Sequence, residues 1–464
     1  MKISSGIRLL VLSGILSLGL LPGCGSSTSK NTASTTENVF YSHAILPATD
    51  GTIWGSGYNG YGQLGDGTLG NTFWFFPISK SPELGGGSLK VSGYATGANH
   101  GLAFGNNSTL WVWGSNFQGR LGVGAISGLN LPNSGGTAYS AYALPMYMKN
   151  SVRSVAAGWK HSLAVIGDRV WSWGDNTYGQ MGLGGSGLSS SATLVTEYDF
   201  PVATSVNNAT QVAAGGSHSL ALTVDPTTNV SRVFAWGYNL YGQTGQADLA
   251  YNTYYPSEVT TLNSGNLTGG DHVTAIAAAG SYSLALVQPT GKVYAWGYNG
   301  YGQLGQNTTS LYATVDTIIP HPVQQKDGAA VTGVTKISAG QLHCLAMFTG
   351  TDGKGHVLSW GDNEKGQLGI LDDSLVSNSK MQNIAKITFF NAYASQATVF
   401  DSLIQTSTNG VTDIYAFGNA SFVKIDNVWY GVGDNNWGQL GLEVPTTSVS
   451  YVLDPSRTGA RLIP

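Results

Sequence analysis

A nine-residue pattern, Gly-x-Asn-x-x-Gly-[Gln/Arg]-x-Gly, occurs seven times in this chain and constrains its fold more than any other feature. The copy WGYNGYGQLG at residues 296–305 shows the pattern together with its preceding tryptophan. The seven copies begin at Gly57, Gly114, Gly174, Gly237, Gly297, Gly361 and Gly433. Neighbouring copies start 57 to 72 residues apart, as expected for a repeat array with loops of variable length. The array predicts one closed domain.

The composition of the array indicates an all-β protein. There are 65 glycines, 12 tryptophans and 23 tyrosines, and only 10% of the residues are charged. Glycine supplies the positive φ angles of tight turns, and aromatic residues favour strands. Three or four short strands in each repeat, without helical periodicity, are typical of one propeller blade. We therefore predict a seven-bladed β-propeller over residues 39–464, closed by N- and C-terminal strands that share one blade and hide its edge.

A second motif alternates with the first and predicts a hairpin in each repeat. It occurs as VAAGWKHSLAV at 155–165, with related copies at 94–104, 212–222, 276–286 and 337–347. A turn and a short apolar segment ending in Trp-Gly follow it. In the 155–165 copy the turn is Gly167-Asp168, a two-residue sequence that favours a tight hairpin.

The last repeat is irregular. We expect its Trp-Gly to be replaced by Phe417-Gly418, with NASFVKIDNVWY at 419–430 inserted before the loop motif. Its partner motif is assigned to residues 391–403, which have lost the histidine.

The N-terminus resembles the signal of a bacterial lipoprotein. Lys2 and Arg8 precede an apolar run from Leu9 to Leu21, which is too short for a stable membrane-spanning helix. The run ends in Leu-Pro-Gly-Cys, and this resemblance to a lipobox implies lipid attachment at Cys24 after removal of the leader, residues 1–24. Residues 25–38 are rich in Ser and Thr, as expected for a flexible tether. A bacterial cell-envelope location follows, on either face of the membrane, or secretion if the lipobox is not used.

The alternation of G-x-x-H-S-L-A with W-G-x-N-x-x-G-Q-L-G resembles the regulator of chromosome condensation repeat family over essentially the whole mature chain. The resemblance implies a seven-bladed β-propeller. Its eukaryotic namesake is a guanine nucleotide exchange factor that binds chromatin, other relatives are protein-interaction modules, and one secreted bacterial relative inhibits β-lactamase. The fold is expected to carry over, but one fold hosts many functions.

Two of these functions are disfavoured, one by the charge of the chain and the other by its leader. Removing the leader leaves 19 basic and 25 acidic residues, whereas nucleic-acid binding needs a basic surface. A secretory leader also directs the chain away from a cytosolic GTPase, so exchange activity is the less favoured reading.

Residues that repeat in every blade are interpreted as structural. The motif asparagines are expected to cap turns through backbone hydrogen bonds; they are Asn59, Asn116, Asn176, Asn239, Asn299, Asn363 and Asn435. Five histidines, expected to hydrogen-bond inside their blades, follow the same repeat: His43, His100, His161, His218 and His343. Tyr282 fills the equivalent place in blade 5, an exchange that a metal ligand would not tolerate. Cys344 and His343 point to opposite faces of a strand, so they form no catalytic pair. We predict neither a metal nor a cofactor.

Aromatic residues at variable positions of the loop motif are the candidate binding residues. They are Tyr58, Tyr61, Tyr178, Tyr238, Tyr241, Tyr298, Tyr301 and Trp437. If the loops share one rim, these rigid amphipathic rings can anchor a protein or a glycan. The alternative is packing between neighbouring blades. The Tyr-rich segments 138–148 and 250–259 are further candidates, because binding sites are common on long loops.

No catalytic constellation is found in the sequence. The first hypothesis is an envelope-anchored, monomeric, non-catalytic scaffold that binds a macromolecule, preferably a protein, and contacts the membrane only through its lipid. The alternative is an enzyme acting on cell-wall or extracellular polymer with carboxylates gathered at the axial channel.

Overall fold

The structure is a computed structural model of the chain. It describes residues 42–80, 85–105, 109–123, 139–194, 208–246, 251–262, 267, 269–311, 313–370, 390–396 and 400–441. These residues belong to one unit, Asn38–Pro464. The predicted leader, Cys24 and the tether lie outside the described residues.

Seven small antiparallel sheets form the ring of a seven-bladed β-propeller, so the predicted fold is confirmed. The strands of blades 1 to 3 are β1 (His43–Pro47), β2 (Ile53–Gly57), β3 (Thr72–Pro77); β4 (Gly93–Thr96), β5 (His100–Phe104), β6 (Thr109–Ser115), β7 (Tyr139–Tyr147); β8 (Val152–Ala157), β9 (His161–Ile166), β10 (Arg169–Asp175), β11 (Leu188–Leu194). Those of blades 4 and 5 are β12 (Ala209–Ala214), β13 (His218–Val224), β14 (Ser231–Tyr238), β15 (Asn252–Glu258); β16 (His272–Ala279), β17 (Tyr282–Gln288), β18 (Lys292–Gly297), β19 (His321–Pro322). Those of blades 6 and 7 are β20 (Val334–Ala339), β21 (His343–Thr349), β22 (Gly355–Asp362), β23 (Phe390–Gln396); β24 (Val411–Phe417), β25 (Ala420–Ile425), β26 (Val428–Gly433).

Helices contribute little to the described residues. They comprise α1 (Val315–Ile318), α2 (Asp401–Thr406) and two short 3-10 turns, Phe117–Gly119 and Thr260–Leu262. None of the helices in the described ranges is long and apolar enough to cross a membrane.

Strand order is the same in blades 2 to 6, from the innermost strand to the outermost. Register shows that β1 and β2 correspond to the second and third strands of a blade, since His43 pairs Gly57 as His161 pairs Gly174. Among the described residues, blade 1 therefore lacks an innermost strand and blade 7 an outermost one. The terminal strands predicted to close the ring lie outside the described residues. The Gly167-Asp168 hairpin is confirmed, because it joins β9 to β10.

Tryptophans fix neighbouring blades to each other. The tryptophan that ends the third strand is fully buried in blades 2 to 6, and its Nε1 donates to the backbone carbonyl of the preceding blade's Gln or Arg at 2.8–3.0 Å. These donors are Trp113, Trp173, Trp236, Trp296 and Trp360. In blade 1 Ser56 takes this place and donates to Gly438 O at 2.6 Å. The core thus lies mainly between blades.

The expected assignment of blade 7 is wrong. Phe417 ends the innermost strand β24 and pairs Ala420, whereas Val432-Gly433 occupies the Trp-Gly position on β26. Residues 390–396 form the outermost strand of blade 6. In the sequence Phe417-Gly418 resembles the Trp-Gly pair, because each pair places an aromatic residue and a glycine at the end of a strand.

Candidate functional site

The repeated loop after each third strand is held by its own side chains, as predicted for the asparagines. In all seven copies the Asn Oδ1 accepts the backbone N–H of the residue five positions later, at 2.8–3.1 Å. In six copies the Gln Oε1 accepts the N–H two residues before it, at 2.8–3.0 Å. Arg120 replaces this Gln in blade 2, and its Nε donates to Phe117 O at 2.8 Å. The constant residues of the loop therefore shape its backbone.

The buried histidines bond across blades rather than within them, which corrects the expectation. Nε2 of the histidine lies 2.8–3.0 Å from a serine Oγ of the next blade. The pairs are His100–Ser162, His161–Ser219, His218–Ser283 and His343–Ser421. Gly101 stands where the serine paired with His43 would be, and among the described residues neither ring nitrogen of His43 has a hydrogen-bond partner.

These histidine–serine pairs are unsuited to nucleophilic catalysis. Ser162 Oγ already donates to Arg120 O at 2.7 Å, so it accepts from His100 Nε2–H and has no proton left for the ring to remove. Both side chains are fully buried. Burial also lowers the pKa of His161 to about 4 and that of His218 to about 3. The described residues hold no group of three His, Cys, Asp or Glu that could bind a metal ion.

Cys344 occupies the serine place in blade 6. Its Sγ lies 3.4 Å from Gln303 O and 3.4 Å from the Tyr282 hydroxyl. Burial raises the pKa of this thiol far above its ordinary range. A buried thiol that stays protonated is a poor nucleophile, so Cys344 has a packing role.

We expect Cys344→Ser to leave the free energy of unfolding unchanged or to raise it by up to about 1 kcal/mol. A serine here can donate to Gln303 O as Ser283 Oγ donates to Gln243 O at 2.9 Å. Denaturant unfolding of Cys344→Ser and Cys344→Ala, each in a Cys24→Ser background, measures the effect. A serine variant less stable than the alanine variant would contradict this account.

The position before each loop asparagine takes one of two forms. In four blades a short polar side chain accepts the N–H two residues later at 3.1–3.2 Å; these residues are Ser115, Asp175, Asp362 and Asp434. In the other three blades it is Tyr58, Tyr238 or Tyr298, whose hydroxyl is too far along the side chain to make this bond. The loop therefore folds without a tyrosine at this position.

The candidate aromatic residues form two clusters on the face that carries these loops. One cluster has Tyr58 at its centre, with ring centroids 6.2 Å from Tyr61 and 5.1 Å from Trp437. The other is a continuous series in which successive ring centroids lie 4.9, 6.4, 4.9 and 6.5 Å apart. Its members are Tyr178, Tyr238, Tyr241, Tyr298 and Tyr301. The candidate rings therefore lie on the rim and also pack against rings of neighbouring blades.

Tyr251 joins this series, although it is absent from the eight candidates chosen in the sequence. It is 70% exposed, and burial followed by the proximity of Tyr241, Tyr178 and Tyr251 raises the pKa of Tyr238 to about 12. Nearby, the Tyr254 ring lies against Gly179, where an added Cβ would come within 2.8 Å of it. Tyr251 and Tyr254 of this candidate segment are therefore part of one surface with the loop tyrosines. We call Tyr178, Tyr238, Tyr241, Tyr251, Tyr298 and Tyr301 the tyrosine strip.

The tyrosine strip ends beside carboxylates of blade 6. Burial, then the charges of Glu364 and Asp362, raise the pKa of Tyr301. Asp362 is only 4% exposed, and burial raises its pKa to about 6. Glu364 is exposed to solvent. The blade 6 loop therefore brings two carboxylates, together with Lys365, to this end of the strip.

The axial channel offers a second concave region. A cavity of about 210 Å³ is lined by the innermost strands of blades 2 to 7. Small side chains such as Ala156, Ala213 and Ala277 form much of its wall, and Tyr415 occupies the matching place in blade 7. No Asp or Glu occurs in the lining that the structure describes. The carboxylate pair that would favour the polymer-acting enzyme is not found in this lining.

Comparison with known proteins identifies the repeats. A model of the regulator of chromosome condensation (RCC1) repeat matches residues 107–165, 168–222, 231–286 and 290–347. A second model of the same repeat matches residues 152–180, 209–243 and 273–303. Together they span residues 107–347, which is half of the chain.

Relatives share these repeats over part of their length. The chain is 29% identical to the ultraviolet-B receptor UVR8 of Arabidopsis thaliana over 71% of this chain and 65% of the receptor. It is 34% identical to the probable E3 ubiquitin-protein ligase HERC4 of Homo sapiens over 46% of this chain and 18% of the ligase. The chain thus spans less than two-thirds of the length of either relative.

Solved structures share the fold. Prp20p from Saccharomyces cerevisiae superposes with a TM-score of 0.65 at 20% identity, covering 90% of this chain and 88% of that one. Human WBSCR16 gives a TM-score of 0.61 at 21% identity, covering 87% of this chain and 93% of that one. With the loop motif, the ring of seven blades and the two matching repeat models in agreement, the chain belongs to the regulator of chromosome condensation (RCC1) repeat family.

Proposed function

We propose that this protein is a non-catalytic propeller scaffold, anchored to the bacterial envelope through Cys24, that binds a protein partner with the loop face carrying the tyrosine strip. The observation that carries the proposal is the choice of tyrosine where the fold itself accepts aspartate. Blades 3, 6 and 7 close the same loop with Asp175, Asp362 and Asp434. The tyrosines of blades 4 and 5 instead add aromatic surface to one sector of the face.

Aromatic surface of this kind suits protein recognition. Tyrosine provides a large contact area with few rotatable bonds, and it is enriched among the residues that dominate binding energies. The partly exposed rings of Tyr238 and Tyr298 each contact a tyrosine of the preceding blade at a centroid distance of 4.9 Å. Their positions are therefore set before any partner arrives, which lowers the entropic cost of binding.

Two solved structures of one relative are consistent with a protein partner. The structure of Prp20p is described with its binding properties to Gsp1p and histones, and a second structure shows this yeast protein bound to Kap60. The identities of these partners are not transferred to the present chain. A protein-binding role is the coarse property that we carry over.

The membrane anchor rests on the sequence of residues 1–38. Cleavage before Cys24 and attachment of two acyl chains would supply firm membrane attachment, because a single chain binds only marginally. Metabolic labelling with a palmitate analogue should mark the wild-type chain and not Cys24→Ser.

Affinity capture tests the binding function. The mature chain and its Tyr238→Asp/Tyr298→Asp variant are each used as bait for detergent-solubilised envelope of the source bacterium. We expect a protein that the wild type captures and the variant loses at least tenfold, confirmed by binding of that purified protein. Phe76→Asp is the matched control, since the Phe76 ring is 48% exposed on β3, the outermost strand of blade 1, and belongs neither to the loop motif nor to a candidate binding segment. Equal capture by wild type and double variant would refute a role for this face.

A further inference from the structure

The tyrosine strip is long enough to hold an extended peptide. Its four consecutive ring contacts follow a path of roughly 20 Å, which an extended peptide of about six residues spans. Successive rings are inclined to each other by 54 to 77°. Ring faces and ring edges therefore alternate along the path instead of forming one flat platform.

Carboxylates lie at both ends of the strip, and two of the three charged residues in the blade 6 loop are acidic. Glu364 is exposed at the blade 6 end, and Asp362 lies beneath it. Asp175 belongs to the loop of Tyr178 at the other end. Lys365 is the basic residue of the blade 6 loop, and its charge lowers the pKa of Asp434 in blade 7, although burial has the larger, opposite effect. A ligand that lies along the strip thus meets aromatic faces first and a carboxylate at the end.

We propose that the tyrosine strip binds an extended, arginine-bearing segment of the partner protein, with guanidinium groups on the tyrosine faces and one of them paired with Glu364. This inference rests on the proposed function and specifies its ligand chemistry.

Arginine fits this surface better than the other candidates. Its planar guanidinium stacks on aromatic rings and is weakly hydrated, and its fork of donors matches a carboxylate. Lysine carries the same charge but cannot stack, and it is more strongly hydrated. An anionic ligand would be repelled by Glu364. A pyranose ring is uncharged, so it would gain no ion pair with Glu364.

The aspartate found in blades 3, 6 and 7 supplies a sharp test. Tyr238→Asp/Tyr298→Asp removes two rings and adds two negative charges while keeping a residue that the loop is known to accept. If charge alone bound a basic peptide, this variant would bind it more tightly. If the rings carry the binding, the variant binds it more weakly. The two explanations predict opposite signs.

The experiment uses the full mature chain and three fluorescein-labelled eight-residue peptides that alternate serine with arginine, lysine or citrulline. We expect fluorescence anisotropy to show the arginine peptide binding at least tenfold more tightly than the lysine peptide, with the citrulline peptide weakest. Tyr238→Asp/Tyr298→Asp should weaken arginine-peptide binding at least tenfold. Tyr238→Phe/Tyr298→Phe should retain it, and Glu364→Gln should weaken it a few fold and reduce its salt dependence. Phe76→Asp is again the control.

Several outcomes would overturn the inference: equal affinity for arginine and lysine peptides, tighter binding by the aspartate variant, or no arginine-peptide binding at millimolar concentration. Thermal unfolding of each variant shows whether it is folded, and the phenylalanine variant provides a folded comparison. A partner that is captured from the envelope through the strip while the arginine peptide fails to bind would preserve the proposed function and refute only its ligand chemistry.

Discussion

Acidification from pH 7 to pH 5 is expected to lower the free energy of unfolding by several kcal/mol, because five buried histidines stay neutral in the folded ring. Burial lowers the pKa of His43, His218 and His343 to about 3 and that of His161 to about 4. Burial also lowers the pKa of His100, and the charge of Arg120 adds to the effect. Each ring would have to lose its packed position or its serine partner to accept a proton.

The sign of the effect follows from proton linkage. In the unfolded chain the pKa of a histidine is near 6.5, whereas burial in the folded chain lowers the pKa of His43, His218 and His343 to about 3 and that of His161 to about 4. The pKa of His100 is lowered in the same direction. Below pH 6.5 the unfolded state binds protons that the folded state does not, so stability falls as pH falls towards the folded pKa values. Each such histidine contributes a loss of about 1–2 kcal/mol at pH 5, from 1.36 kcal/mol per pKa unit. Asp362 acts in the opposite direction, since its pKa is raised to about 6.

Denaturant unfolding at pH 7, 6 and 5 measures this loss, and His218→Tyr provides the comparison. Tyr282 shows that a tyrosine is accepted at this position, where its hydroxyl oxygen lies 2.7 Å from both Gly340 O and His343 O and can donate its one proton to either. Removing one of five titrating rings should reduce the pH slope by about one proton's contribution. An unchanged slope in His218→Tyr, or a wild-type stability that is flat between pH 7 and 5, would show that the buried histidines are not responsible.

The fold could be predicted from the sequence because the residues that recur in every repeat are the ones that shape the backbone. Every asparagine of the loop motif makes the same hydrogen bond, so seven identical letters predict seven identical turns. Blade 7 could not be aligned in this way. Its Trp-Gly position is Val432-Gly433, and its Trp429 donates to Pro47 O across the joint with blade 1. The local pattern therefore differs at the joint between blade 7 and blade 1.

The candidate site could be predicted from the sequence only in part. The loop tyrosines stand out in the sequence because they occupy variable positions in a constant frame. Tyr251 does not stand out in this way, because it lies in the connection to an outermost strand. It comes close to Tyr238 only in the folded protein. The hydrogen-bond partners of four buried histidines also differ from the prediction, since they lie in the next blade and not in the same one. Spacing within a repeat identifies equivalent residues, but it does not say which copies touch.

One steric rule was nevertheless present in the sequence. Three positions before each of four buried histidines stands a glycine, and the pairs are Gly97/His100, Gly158/His161, Gly215/His218 and Gly340/His343. Where the histidine is replaced, the glycine is replaced as well, giving Ala279/Tyr282 and Phe417/Ala420. A Cβ added to the four glycines would lie 2.0 to 2.4 Å from the histidine Cε1, far inside contact distance. The imidazole therefore occupies the volume of the missing methyl group.

This rule predicts that Gly215→Ala destabilises the protein by about 3 kcal/mol, as expected when a close-packed core is overfilled and a buried hydrogen bond is broken. At Gly215 the three atoms nearest to the added Cβ all belong to His218, with Cε1 at 2.0 Å and Nδ1 at 2.4 Å. The backbone there does not need a glycine for its φ angle, so the clash alone decides the result. The ring must move, which separates Nε2 from Ser283 Oγ, now 2.9 Å away. Denaturant unfolding measures the loss.

The double variant Gly215→Ala/His218→Tyr isolates the cause, because it reproduces in blade 4 the Ala279/Tyr282 pair of blade 5. If the methyl group and the imidazole compete for one volume, the double variant is more stable than the sum of the single effects implies, by about 2 kcal/mol of coupling energy. Additive effects would mean that Gly215 is required for another reason, such as its backbone flexibility. Coupling would mean that the residue at the glycine position and the ring that it contacts depend on each other. The stability of such a joint between blades is then a property of the pair of positions and not of either residue alone.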